Sequence, residues 1–82
     1  MSNFAGTWKD LADAIIDIKA KGRQLTIQYP PGRGAGPFQG HEIDLYHPVI
    51  DVNFYDKIPE TGVLSNDRTT IYWGNGSKWV RQ

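Results

Sequence analysis

The chain has 82 residues, no cysteine, and nine basic against nine acidic side chains, for a formal net charge of zero. That length holds one domain, 1–82, and the charge balance removes the general electrostatic attraction that draws a protein to nucleic acid or to anionic lipid. The missing cysteines exclude disulfide staples and thiol chemistry, and no apolar run approaches the roughly 20 residues of a membrane-spanning helix.

A chain this short buries only about 60–65% of the surface its unfolded form exposes. Its core is therefore thin and needs dense packing or a partner. Three Trp, four Tyr and three Phe offer the packing, since each aromatic ring can bury about 150–250 Å². A homo-oligomer is the other remedy. The opening Met1-Ser2-Asn3-Phe4 has no basic stretch leading into an apolar one, which predicts a cytoplasmic protein.

The first third reads two ways. As a helix, Thr7 is the N-cap with Asp10 reaching back, Trp8, Leu11, Ala12, Ile15 and Ile18 share a face, and Gly22 ends it. As a hairpin, Ile16, Ile18 and Ala20 face one way, Lys21-Gly22-Arg23 turns, and Leu25, Ile27 and Tyr29 return on the same face. The segment from Pro30 to Gly40 is too rich in Gly and Pro for a helix or a central strand, and reads as a loop.

Beyond it the period becomes two. Ile43 and Leu45 alternate with Glu42, Asp44 and Tyr46, and after Pro48 the residues Ile50, Val52 and Phe54 alternate with Asp51, Asn53 and Tyr55, as half-buried strands require. A short strand from Gly62 to Ser65 meets the turn-forming Asn66-Asp67. The segment from Thr69 to Arg81 is a hairpin about Asn75-Gly76, the dipeptide that best tolerates the two positive φ angles of a type I′ turn. Centred there, the turn pairs Trp73 with Lys78, Tyr72 with Trp79, Ile71 with Val80 and Thr70 with Arg81. Ile71, Trp73 and Val80 then compete with Tyr72 and Trp79 for the buried face.

Phe4-Ala5-Gly6-Thr7-Trp8 resembles the opening strand of calycin-type barrels. The remainder resembles small β modules that end Ile-x-Trp-x-Asn-Gly-x-x-Trp-x-Arg, matched here by Ile71, Trp73, Asn75, Gly76, Trp79 and Arg81. The earlier Val52, Phe54, Asp56, Thr61, Gly62 and Leu64 fit the same modules. The resemblance implies an architecture and no activity, and it favours the hairpin over the helix. The expected fold is all-β, a small antiparallel barrel or rolled sheet of about six strands, with an N-terminal helix packed on the sheet as the alternative. So few strands barely enclose their own side chains.

Chemistry is sparse. His41, Glu42, Asp44 and His47 put four possible metal ligands close together, with Asp51 reachable across the sheet, but no three of the four converge without a partner strand. Gly32-Arg33-Gly34-Ala35-Gly36 matches no phosphate-binding fingerprint. No serine sits in a nucleophile context, so no catalytic residue, metal or cofactor is expected. What remains is a surface of rings and polar groups, Tyr72, Trp73, Asn75, Trp79, Arg81 and Arg33. It fits a noncatalytic module for a carbohydrate or other small polar ligand, or else a structural, oligomerising protein that uses exposed aromatics as an interface.

Overall fold

The computed structural model describes residues 2–32, 36–43, 48–54 and 59–82, and over these the chain is all-β. Its strands are β1 (Gly6–Lys9), β2 (Ile15–Lys21), β3 (Gln24–Gln28), β4 (Phe38–Glu42), β5 (Val49–Asn53), β6 (Glu60–Leu64), β7 (Thr70–Trp73) and β8 (Lys78–Arg81). Each pairs antiparallel with the next, and β8 returns to β1 through Trp8 opposite Arg81 and Lys9 opposite Val80. The result is a closed eight-stranded barrel, which leaves no sheet edge exposed. Among the described residues no helix is long and apolar enough to cross a membrane.

The helical alternative fails at Asp10. Its carboxylate does not reach back to a cap but accepts forward, from the amides of Ala12 (2.9 Å) and Ala14 (2.8 Å), while Asp13 takes a φ of 66°. That local bonding makes a turn where a helix would have its first coil. The hairpin that follows forms as expected, with Ile18 opposite Ile27 and Ala20 opposite Leu25, but Lys21 belongs to β2 and pairs with Gln24, so the turn narrows to Gly22-Arg23 and Ala20 is exposed.

Eight strands replace the expected six partly because β4 begins inside the glycine-rich segment. Phe38 pairs with Ile27 and Gln39 with Thr26, whereas Ile43 lies beyond the strand's end. Gly40 signals a loop by composition, yet it sits mid-strand because the barrel wall closes on it. A Cβ there would meet the Asp51 carbonyl oxygen at 2.6 Å and Val52 Cγ2 at 2.7 Å. The expected strand residues Asp44, Leu45 and Tyr46 lie outside the described residues.

The last hairpin is shifted by one residue from the expected register. Trp73 accepts from Gly76 N at 3.0 Å and donates to Ser77 O at 2.9 Å, with Gly76 at a φ of 91°. The loop is thus three residues long, Gly74-Asn75-Gly76, with the glycine in the left-handed position that closes such loops. Ile71 pairs with Trp79, Tyr72 with Lys78 and Thr70 with Val80. One residue of slip turns a strand over, and here it resolves the competition between faces: Ile71, Trp73 and Trp79 are buried, Tyr72 and Val80 exposed.

The barrel axis runs through a packed aliphatic middle, including Ile16, Ile18, Leu25, Ile27, Ile50, Val52 and Ile71, all essentially inaccessible to solvent. One end is sealed. Phe4, ahead of β1, is fully buried, and its carbonyl accepts from Trp8 Nε1 at 2.9 Å. The Arg81 guanidinium lies 4.2 Å above the Trp8 ring and donates to the carbonyls of Ala5 (3.0 Å), Arg68 (2.8 Å) and Asn3. One cation therefore ties together the N-terminal segment, the β6–β7 turn and β8.

Candidate functional site

Up-and-down topology gathers the connections β1–β2, β3–β4, β5–β6 and β7–β8 at the end opposite Arg81. There the inward-facing positions turn aromatic. Tyr29 continues the inward row of β3 after Leu25 and Ile27, Phe38 opens β4, Phe54 extends the row of Ile50 and Val52, and Trp73 and Trp79 come from β7 and β8. Their rings meet edge to face. The centroids of Trp73 and Trp79 lie 4.8 Å apart at 62°, Phe54 and Trp73 5.5 Å at 74°, Tyr29 and Trp79 6.0 Å at 89°. Such pairs contribute about 0.5–1.5 kcal/mol each beyond their area.

Above these rings is a cleft of about 280 Å³ lined by Tyr29, Phe54, Trp73 and Trp79, with Glu60, Asn75 and Ser77 supplying its polar side. Glu60 reaches it because it is the first residue of β6, opposite the buried Val52, and so points to the inner face that Gly62 and Leu64 continue. Gly62 makes the arrangement possible. A Cβ there would lie 2.9 Å from both Trp73 Cζ3 and Ile71 Cγ2, so the indole can lie across β6 only over a bare backbone.

The polar groups of the cleft are mostly unspent. Asn75 Oδ1 accepts from the Ser77 amide at 3.0 Å, shaping the turn. The Glu60 carboxylate and the Ser77 hydroxyl have no hydrogen-bond partner among the described residues. Trp73 Nε1 is buried and equally without a partner. A buried donor left unpaired costs about 1–3 kcal/mol, which an acceptor on a water or a ligand would offset.

Of the residues singled out in the sequence, Trp73, Asn75 and Trp79 come together here. Tyr72 and Arg81 do not. Tyr72 points outward, 53% exposed, and Arg81 is committed to the sealed end. Arg33 lies outside the described residues. Tyr29, Phe54, Glu60 and Ser77 were not anticipated as neighbours of the two tryptophans. For the first three the signal was strand parity, since each extends an inward row by one step beyond the obvious core.

The acidic and imidazole candidates stay apart from the cleft. His41 lies opposite Asp51 across β4 and β5, on the exposed outer face, and Asp51 Oδ1 accepts from Thr61 Oγ1 at 2.7 Å. Asp44 and His47 lie outside the described residues, and among the described ones no group of three or more His, Asp or Glu could hold a metal ion. No family model, curated protein or solved structure matches the chain.

Proposed function

We propose that this chain is a noncatalytic binding module that holds a small polar ligand of about monosaccharide size in the mouth cleft. The observation that carries the reading is the contrast within one barrel end: four aromatic rings converge there with a carboxylate, an amide and a hydroxyl, two of these polar groups unengaged by the described residues. Concave, largely apolar sites with a few convergent polar groups are where small ligands bind, and about 280 Å³ lies just below the usual 300–1,000 Å³, which limits the ligand to a small one.

The test is a titration with a panel of sugars, polyols, amino sugars and amino alcohols, read by tryptophan emission and by melting. Trp73 and Trp79 line the cleft, so a bound ligand alters their emission. At 100 times its Kd it adds about 2.7 kcal/mol of stability, raising the Tm of a domain this size by roughly 10 °C or more. A panel that moves neither signal overturns the reading.

A second reading, an oligomerising protein, rests on a different surface. Ile43, just past the end of β4, and Val49, Val63 and Tyr72 of β5 to β7 form one outward row, and all but the half-buried Val49 are more than two-fifths exposed. Sedimentation of the wild type and of Tyr72→Lys across a wide concentration range decides it. A monomer throughout removes it.

A further inference from the structure

We propose that the mouth cleft selects a small organic ammonium compound, an amino alcohol or amino sugar, over its neutral counterpart, a proposal that rests on the binding reading above. Glu60 supplies the charge. Among the described residues lining the cleft it is the one ionisable side chain, tyrosine aside, and its place opposite Val52 holds it on the barrel's inner face beside the rings rather than out in solvent with Thr61. Its carboxylate has no partner among the described residues, so an incoming cation displaces no existing bond.

The rings point the same way. A sugar stacking on a tryptophan needs a broad exposed face, but Trp73 is 6% and Trp79 3% exposed. What they offer instead is a corner. Rings inclined at 62° to 89° stand as walls around a small volume, and the negative faces of such walls attract a compact cation. An ammonium group of a few atoms, on an amino alcohol or projecting from an amino sugar, makes use of limited ring area where the stacked face of a whole pyranose cannot.

The experiment compares matched pairs in amine-free, mildly acidic phosphate buffer. Choline is set against 3,3-dimethyl-1-butanol, which has the same shape and hydroxyl without the charge, and glucosamine against glucose. Tryptophan emission reports affinity for the wild type and for Glu60→Gln, an isosteric change at a side chain with no described partner. The expected result is that each cation binds about tenfold tighter than its neutral partner, and that Glu60→Gln removes most of this preference, the cations losing more affinity than their neutral partners. Equal affinities within each pair, or a preference untouched by Glu60→Gln, overturn the proposal and leave the binding reading standing. No binding by any of the four at accessible concentrations overturns both. Should Glu60→Gln fail to fold, the wild-type ratios decide alone.

Discussion

The two ends of the barrel use the same residue type to opposite effect. At the sealed end Trp8 is fully buried, its indole N–H bonded to the Phe4 carbonyl and its face covered by Arg81. At the mouth Trp73 is nearly as buried, yet its N–H has no described partner and an unpaired carboxylate lies in the same cleft. Burial therefore does not distinguish the tryptophans of the two ends in so small a protein. The satisfaction of the polar atoms around the ring does.

The largest effect expected from that contrast comes from matched substitutions. Trp8→Phe removes a donor and strands the Phe4 carbonyl, leaves a cavity and strips Arg81 of its ring, a sum of about 2–4 kcal/mol. Trp73→Phe removes a similar volume but also an unpaired donor, so the cost is about 1 kcal/mol or less. Urea unfolding of both variants measures the difference. Equal losses, or a larger loss at Trp73, would break the distinction between the two ends.

That contrast also marks how far the sequence could be read. Alternation placed β5 and the strands of the aromatic ending, because one buried face imposes period two on the residues themselves, but over β2 and β3 it did not decide between a hairpin and a helix. It misplaced what depends on neighbours distant in sequence. Gly40 reads as loop from its own chemistry and is a strand residue only because Asp51 and Val52 crowd it. Asn75-Gly76 admits a two-residue or a three-residue loop, and the choice was made by the core, which takes Trp79 with Trp73 in one register and loses it in the other. For the cleft, the aromatic and amide lining was legible as an ending rich in rings, whereas Arg81, grouped with it in the sequence, lies at the other end, where β8 closes onto β1. Glu60 was hidden because a charged residue at a strand's start looks like ordinary surface until the barrel closes and turns it inward.

A smaller effect sharpens the comparison from the mouth. Gly62→Ala forces Trp73 and Ile71 away from β6, and overpacking of this kind costs about 1–3 kcal/mol. Its signature is local: the near-ultraviolet dichroism of the paired tryptophans should fall and ligand affinity with it, while the Trp8 environment is preserved. An alanine that leaves the dichroism unchanged would mean that the bare backbone at Gly62 is not what seats the indole.

The smallest effect lies at the sealed end and is read through pH. Hydrogen bonds from the Ser65 hydroxyl at 2.6 Å, then from the Thr69 hydroxyl at 2.8 Å and the Thr69 amide at 3.2 Å, hold the Asp67 carboxyl below the ordinary aspartate range. These bonds shape the β6–β7 turn, whose Arg68 carbonyl accepts from Arg81. A carboxyl more acidic in the folded chain than in the unfolded one binds fewer protons when folded, so its contribution is fully present above the unfolded value near 3.9 and disappears as pH falls through the lower folded value. Asp67→Asn should therefore melt below the wild type at neutral pH. The gap should close on acidification beneath pH 4 or so, since the protonated wild-type side chain then resembles the amide. A gap that persists unchanged in acid would assign the loss to the geometry of the turn rather than to its charge.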